Sequence, residues 1–281
     1  MIDWKKYFDA IYLLTYAGYN GRRKTGTFDE LKRVGIADSG ILHVYENIQT
    51  PLFQPILQAV RHDSRMTDNL SMFSCTFGHY CIWKICELRG YRRTLILEDD
   101  VVFLNDVDRI EKILESTPKD YDLMMYTHFV GIFDKVSLAG YISQMRNARD
   151  SNVDFIRLGT SGPDIASCGT YAISNRFASV LCGLQERYIS ICDVIINHNT
   201  TRYKDKFPVF NDLLIGSMTR YYSTVPISLQ KYYMESMTES NKPELVKTII
   251  RGAVEMYKSC GVDVSEYSKY DEFIKDIIIN V

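Results

Sequence analysis

Three consecutive carboxylates, Glu98, Asp99 and Asp100, directly follow the segment 94–97 in the stretch TLILEDDVVF. The residue types of 94–97 predict a short buried strand that ends at the acids. In an open α/β sheet, ligands bind in the crevice outside the carboxyl ends of the strands. Adjacent carboxylates repel one another, and a divalent cation that prefers oxygen ligands offsets this repulsion. The cluster therefore predicts a metal site, with a solvated acidic turn as the plain alternative.

Strand geometry divides the three acids between two sides. Because alternate residues of a strand point to the same side, we expect Glu98 and Asp100 to be the metal ligands. Asp99 is then left to face a sugar or the rest of the protein. A phosphoacceptor receiver domain also carries acids after a strand, but it needs a further aspartate at a later strand end. The corresponding segment here, GYISQMRNA, contains no aspartate and disfavours that class.

Strands and helices alternate along most of the chain. The predicted strands cover 10–15, 41–45, 94–97, 122–126, 169–174 and 222–225. The predicted helices cover 22–34, 77–89, 107–116, 175–184 and 207–222. This alternation predicts an α/β fold in which helices cover a mainly parallel sheet.

Three segments complete the predicted organisation. The helix 77–89 is expected to bury one apolar face, formed by Phe77, Cys81, Ile82, Ile85 and Leu88. The polar segment 146–169 is expected to be a loop that could close over a substrate. Residues 231–281 show two amphipathic helical patterns, which predict a helical C-terminal extension packed on the domain formed by residues 1–230.

The composition excludes several classes of protein. With 281 residues, of which 46% are hydrophobic, the chain can bury a sizeable core. A formal net charge of -2 without a long basic run argues against a nucleic-acid partner. The seven cysteines are odd in number and form no CxxC pair, which predicts reduced thiols and a cytoplasmic protein. The N-terminal apolar run is too short to span a bilayer, so any membrane contact is expected to be peripheral.

The region around the acids resembles the central signature of glycosyltransferase family 25, the lipopolysaccharide-biosynthesis glycosyltransferases. In that signature, Gly-Cys-x-x-Ser-His precedes an aromatic helix and the sequence Leu-Glu-Asp-Asp-Val. The matching residues in SCTFGHYCIWKICELRGYRRTLILEDDVVF are Cys75, His79, Trp83 and 97–101. Ser74 and Gly78 replace the Gly and Ser of the signature.

Two downstream motifs occur in the family's order, whereas the first strand departs from it. GTYAISNRFASVL is similar to a family element through its Gly169, Tyr171 and Ser174. FPVFNDLL and VPISLQ resemble a Pro-Val-Asp element and a Pro-x-x-x-Gln ending, through Asp212 and Gln230 among others. Where the family's first strand ends Ile-Asn-Leu-Asp, this chain has Ile-Tyr-Leu-Leu.

The resemblance implies a GT-A-like fold and a nucleotide-sugar donor such as UDP-galactose or another UDP-hexose. It also implies a divalent metal, Mn²⁺ or Mg²⁺, held by Glu98 and Asp100. Departure of a nucleoside diphosphate builds up negative charge, which a bound cation stabilises. The implied acceptor is a bacterial surface glycan or glycolipid, such as lipopolysaccharide, lipooligosaccharide or capsule. An enzyme of this kind would be an inverting hexosyltransferase working at the inner face of the membrane.

An inverting transfer needs a base for the acceptor hydroxyl. Asp212, early in the helix after Pro208, is the first choice for that base. A carboxylate near a helix N-terminus is also stabilised there without any catalytic role. Asp193, in SICDVIIN, is the second choice, although its apolar neighbours favour a buried structural acid.

Contacts with the donor are assigned through the resemblance. The residues assigned are Leu13, Thr15, Arg22, His79, Asp99, Tyr171 and Ser174. Plain structural roles compete with these assignments, because a histidine or tyrosine in an apolar segment is often part of the core. Arg22 could equally be a solvated side chain at the start of a helix.

Two other functions remain open at this stage. The altered first strand favours a non-catalytic member that keeps the GT-A-like scaffold for binding or assembly. A metal-dependent nucleotidyltransferase would use acids at the same place and would release pyrophosphate instead of UDP. The reaction product therefore separates these classes.

Overall fold

The computed structural model describes residues 1–16, 21–47, 53–67, 69–127, 129–130, 143–148, 150–158, 165–197, 217–230 and 258. The helices are α1 (Gly21–Arg33), α2 (Gln54–Ala59), α3 (Leu70–Arg89), α4 (Val107–Ser116), α5 (Asn175–Arg187) and α6 (Cys192–Asn197). Single 3-10 turns cover Trp4–Lys6 and Ser64–Met66, and residues 143–148 are also helical. The strands are β1 (Ala10–Tyr16), β2 (Leu42–Asn47), β3 (Arg93–Glu98), β4 (Val101–Phe103), β5 (Leu123–Met125), β6 (Phe129–Val130), β7 (Phe155–Arg157), β8 (Ile165–Ala166), β9 (Thr170–Ser174), β10 (Arg220–Ser223) and β11 (Ser228–Gln230).

One seven-stranded sheet organises the described part of the chain, in the order β2-β1-β3-β9-β5-β10-β7. The strands β2, β1, β3, β5 and β10 run in one direction, and β9 and β7 run against them. The expected α/β fold with a mainly parallel sheet flanked by helices is confirmed. Two small antiparallel pairs, β11 with β4 and β6 with β8, extend beyond the main sheet.

The centre of this sheet is buried on both faces. Leu13 of β1 pairs with Leu97 of β3, and both side chains are fully buried. Near-continuous apolar runs of this kind are typical of strands covered by helices on both sides. The carboxyl ends of β1 and β3 therefore lie side by side at one edge, where the chain turns polar.

The helix before β3 is longer than predicted, and only part of its predicted apolar face is buried. It begins at Leu70, where the Asn69 side chain accepts a hydrogen bond from the Met72 N–H. Of the predicted apolar face, Ile82 is fully buried and Phe77 and Ile85 pack against the core, whereas Leu88 is 76% exposed. A Cβ at Gly78 would lie 2.7 Å from Leu14 Cδ1, so the glycine allows α3 to pack closely on β1. The face that includes Gly78 and His79 is buried as a result.

Pairing between strands far apart in the chain corrects two further predictions, the loop 146–169 and the helix 207–222. The segment 146–169 is not all loop, because it contains β7, which pairs with β10 at the edge of the main sheet. The predicted helix 207–222 overlaps β10, so a strand begins at Arg220. Neither pairing is visible in local composition, since each depends on a distant strand. Residues 207–216 and the predicted C-terminal extension, apart from Lys258, lie outside the described residues.

The described residues also bear on the cysteines and on membrane crossing. All six described cysteines are free thiols. Within the same ranges, we find no helix with the length and apolar character needed to cross a bilayer.

Two glycines, one just after a helix and one inside a helix, test the backbone conformations at these positions. Gly90 follows α3 with φ of 67°, where alanine would cost about 1 kcal/mol. Gly183 lies within α5, where alanine is favoured by about 1 kcal/mol and meets no atom within 4 Å. We expect Gly90→Ala to lower the free energy of unfolding in urea and Gly183→Ala to raise it. Changes of the same sign in both variants would contradict the two conformations.

Candidate active site

The three acids lie where β3 ends and the chain turns into β4. Glu98 is the last residue of β3 and pairs with Leu14 of β1. Asp99 and Asp100 form the turn that leads to Val101. The strand alternation used to divide the acids therefore stops at Glu98, and hydrogen bonds decide which way the other two point.

Asp99 is turned toward β1 and α1. Its Oδ2 accepts a hydrogen bond of 3.0 Å from the hydroxyl of Thr15, which lies just beyond Leu14. The hydroxyl of Thr27, in α1, donates to the backbone carbonyl of Asp99. Asp99 is buried, so these bonds offset part of the cost of removing a carboxylate from water. They also fix the direction of the turn.

Glu98 and Asp100 converge on one side chain. The amide Nε2 of Gln230 donates to Glu98 Oε2 at 2.6 Å and to Asp100 Oδ1 at 3.3 Å. Gln230 reaches this point because β11 pairs with β4 in a register that sets it opposite Val101. Two carboxylates that share one donor lie within reach of a single cation.

The orientation of Gln230 is fixed by its surroundings. Its Oε1 accepts a hydrogen bond of 2.7 Å from the hydroxyl of Ser167, which leaves Nε2 for the acids. Ser167 has φ of 91°, a conformation that costs a non-glycine residue about 1–3 kcal/mol. A Cβ at Gly169 would lie 2.5 Å from Gln230 Cγ, so glycine is needed where the two segments cross. Strain and a close approach thus both occur at the residues that hold Gln230.

The second oxygen of Glu98 faces the protein interior. Its Oε1 lies 3.0 Å from Nε2 of His79, which is fully buried on α3. His79 Nδ1 is hydrogen-bonded to the hydroxyl of Tyr171 at 2.8 Å, and the Trp83 indole N–H donates to the same hydroxyl. The Cys75 thiol donates to Glu98 Oε1 over 3.8 Å. Glu98 therefore joins a buried polar cluster to the edge of the sheet.

Electrostatics in this cluster favour a proton on His79 Nε2. Burial lowers the pKa of His79, but its hydrogen bonds with Cys75 and Glu98 and the negative charge of Glu98 raise it overall. The hydrogen bond with Cys192 and burial raise the pKa of the Cys75 thiol well above its usual value. Nε2 therefore donates to Glu98, which orients the carboxylate.

The structure brings together five of the residues singled out by sequence and separates others. Glu98, Asp99, Asp100, Thr15 and His79 meet at the carboxyl ends of β1 and β3. Tyr171 and Leu13 are fully buried, the first beneath His79 and the second within the sheet.

The remaining predicted residues lie elsewhere or have no described side chain. Ser174 pairs with Arg93 at the opposite end of β3 and caps α5 through the Phe177 N–H. Only the backbone of Arg22 in α1 and of Asp193 in α6 is described. Asp212 lies outside the described residues.

Gln230, Thr27 and Gly169 were not assigned to the site from sequence. Gln230 and Gly169 did occur in the matched motifs, so the motif positions were a usable signal for both. Thr27 carried no such signal, because its contact is with a backbone carbonyl. A cavity of about 360 Å³ lies away from the acids, on the side of α3 that carries Phe77 and Tyr80.

The fold and the acid cluster define an α/β protein with a polar site at the carboxyl edge of its sheet, the usual ligand position in such folds. The family model for glycosyltransferase family 25 (LPS biosynthesis protein) matches residues 7–196 of the 281. The chain belongs to glycosyltransferase family 25. It is therefore a glycosyltransferase with the GT-A-like architecture expected of that family. A search of curated proteins gives no match.

The chain is also similar to solved structures of other transferases. Glucosyl-3-phosphoglycerate synthase from Mycobacterium tuberculosis, in complex with Mn²⁺, UDP-glucose and phosphoglyceric acid, is 11% identical with a TM-score of 0.35, over 91% of this chain and 81% of that chain. Mouse xyloside xylosyltransferase 1 is 8% identical with a TM-score of 0.34, over 76% and 96%. The galactosyltransferase LgtC, in complex with donor and acceptor sugar analogues, is 10% identical with a TM-score of 0.30, over 92% and 99%. TM-scores of this size carry no conclusion about the chemistry of this chain.

The contribution of the Tyr171 hydroxyl to stability can be measured by removing that hydroxyl alone. Tyr171→Phe leaves the buried nitrogens of His79 and Trp83 without that partner, and we expect a loss of about 1–3 kcal/mol in the free energy of unfolding. Tyr121→Phe is the matched control, because the buried Tyr121 hydroxyl has no hydrogen-bond partner among the described residues. Urea unfolding of both variants checks this. Equal losses would show that the shared hydroxyl contributes nothing specific.

Proposed function

We propose that this glycosyltransferase transfers a hexose from a UDP-sugar, such as UDP-galactose, to a surface-glycan acceptor with inversion of configuration. The acceptor class is lipopolysaccharide, lipooligosaccharide or capsule, and the reaction uses Mn²⁺ or Mg²⁺. The observation that carries the proposal is the convergence of Glu98 and Asp100 on the single donor Gln230 Nε2. The family match supports the reaction class.

The residues present fit a divalent cation. The side chains at the convergence point offer carboxylate oxygens, the ligands that Mn²⁺ and Mg²⁺ prefer. The donor Gln230 Nε2 marks a point that both Glu98 Oε2 and Asp100 Oδ1 reach. Glu98 and Asp100 would hold the cation, and its bound state would supply positive charge where the departing diphosphate becomes negative.

The rest of the site would position these two ligands and the donor. His79 holds the inner oxygen of Glu98, so the outer oxygen faces the edge of the sheet. Thr15 holds Asp99 on the side of β1 and α1. We assign Asp99 and the first turn of α1, with Arg22, to the donor side, because both lie beyond the carboxyl ends of β1 and β3.

Inverting transfer requires the acceptor hydroxyl to lose its proton as it attacks the anomeric carbon. We assign Asp212 as the base that takes this proton, and Asp193 as the second choice. The support for Asp212 is its place in the Pro-Val-Asp element of the family.

The free thiols of the described cysteines support a reducing compartment, and we propose a cytoplasmic enzyme that meets its acceptor at the inner face of the membrane.

Comparing Asp100→Asn with the same change at a surface acid tests whether Asp100 is a metal ligand. The amide keeps the size of the side chain but removes its charge, so we expect UDP release from the cognate donor to fall by about 100-fold or more. Asp108→Asn, an exposed acid in the first turn of α4, should leave the rate unchanged. UDP release is followed with a panel of UDP-sugars, with Mn²⁺ and with chelator. Absence of turnover and of donor binding in the wild type would favour a non-catalytic protein, and pyrophosphate release would favour a nucleotidyltransferase.

Asp212→Asn tests the assigned base. Loss of a general base should lower kcat by about 10²–10⁴-fold, while donor binding, which does not use this group, should persist. A thermal-shift titration with UDP in the presence of Mn²⁺ measures donor binding separately from turnover. If Asp193→Asn shows the larger loss of kcat, Asp193 is the base instead. Full activity in both variants would remove both residues from the reaction.

A further inference from the structure

A second cluster of metal-ligating side chains lies behind Glu98, in the protein interior. Its members are Cys75 and His79 of α3 and Cys192, the first residue of α6. One ligand atom from each lies within 4.8 Å of the others. We propose that these residues bind a thiophilic divalent cation of the zinc class, with Glu98 Oε1 in the fourth position. This site is separate from the oxygen site at Glu98 Oε2 and Asp100.

The spacing of the ligand atoms fits a tetrahedral ion. Zinc–ligand bonds of about 2.0–2.3 Å set neighbouring ligand atoms about 3.3–3.8 Å apart in a tetrahedron. His79 Nε2 lies 3.0 Å from Glu98 Oε1, and Cys75 Sγ lies 3.8 Å from the same oxygen. Shifts of a few tenths of an ångström around Glu98, and a modest contraction toward Cys192, would complete the geometry.

The elements that carry the ligands are already fixed relative to one another. Cys75 and His79 are four residues apart on α3 and therefore lie on one face of that helix. The backbone N–H of Cys192 donates to the Thr76 hydroxyl at 3.3 Å, which ties the start of α6 to α3. Binding would therefore require little ordering of the chain, which favours affinity.

The histidine has the outer-shell support that metal-bound imidazoles usually have. A ligating histidine normally hydrogen-bonds through its other ring nitrogen, which fixes the ring. Here Nδ1 is held at 2.8 Å by the Tyr171 hydroxyl, and Trp83 donates to that hydroxyl. Nε2 is thereby directed toward Cys75 and Glu98.

The chemistry of the two sites selects different ions. Thiolate and imidazole ligands suit zinc, whereas carboxylates suit Mn²⁺ and Mg²⁺. His79 and Cys192 are buried and Cys75 is partly buried, as in closed structural zinc sites. Binding would release the two thiol protons and the proton on His79 Nε2 to solvent. A cation there would hold Glu98 Oε1 in place of the hydrogen bond from His79.

Metal content and cobalt spectroscopy test the proposal on the full chain. We expect about one zinc per chain by mass spectrometry after isolation in zinc-containing medium, and a thiolate-to-Co²⁺ charge-transfer band in the near ultraviolet after cobalt substitution. Cys75→Ser and Cys192→Ser should each weaken zinc binding by more than about tenfold in a chelator competition. Cys182→Ser, which alters a thiol in α5 that is as buried as Cys192, should keep the zinc and the band.

The outcomes are distinguishable from those at the oxygen site. Asp100→Asn should retain the zinc and the cobalt band even where it abolishes sugar transfer, because Asp100 is not a ligand of this site. The wild-type cobalt spectrum needs no variant and stays decisive if a serine variant fails to fold. Absence of the thiolate band in the wild type would overturn the proposal. So would unchanged zinc in Cys75→Ser and Cys192→Ser, or a metal-free protein with an oxidised Cys75–Cys192 pair.

Discussion

Glu98 is held from two opposite sides, and the arrangement of the site follows from that constraint. Its inner oxygen faces His79 in the core, and its outer oxygen faces Gln230 at the edge of the sheet. A carboxylate whose side chain is only 19% exposed needs such partners to offset the loss of water. Because both oxygens are engaged, the side chain has one orientation. The same group therefore belongs to the buried cluster and to the open site.

Each partner of Glu98 depends on a different part of the fold. His79 reaches it because Gly78 lets α3 approach β1 closely. Gln230 reaches it because β11 pairs with β4 and because Gly169 leaves room for its side chain. Positions 79, 169 and 230 are distant in sequence, so the site forms only when the sheet and α3 are assembled.

The sequence predicted those elements and site residues that a local apolar pattern or a local cluster of charges marks. The strands β1, β3 and β9 and the helix α4 were predicted well, because apolar runs bounded by turns or caps identify them. The acids after β3 were predicted as a site because three like charges at a strand end need a positive partner. The position of Ser174 at the far end of β3 was not anticipated, since the direction of β9 depends on antiparallel pairing with β3.

Other parts of the site depend on contacts that no local pattern records. The exposure of Leu88 near the end of α3 was not predicted, and the close approach of α3 to β1 depends on Gly78, which an apolar pattern does not reveal. Cys192 meets Cys75 only through the packing of α6 on α3. Strand pairings such as β7 with β10 likewise join segments far apart in the chain.

Binding of a nucleoside diphosphate through a divalent cation at Glu98 and Asp100 is the central claim, and calorimetry tests it directly. Titration of the wild-type protein with UDP should give binding at least about tenfold tighter with Mn²⁺ than with chelator, or ~1.4 kcal/mol in binding free energy. This difference should arise because the cation joins the diphosphate to the two carboxylates. UDP affinity that is the same with Mn²⁺ and with chelator, or no UDP binding under either condition, would contradict the claim.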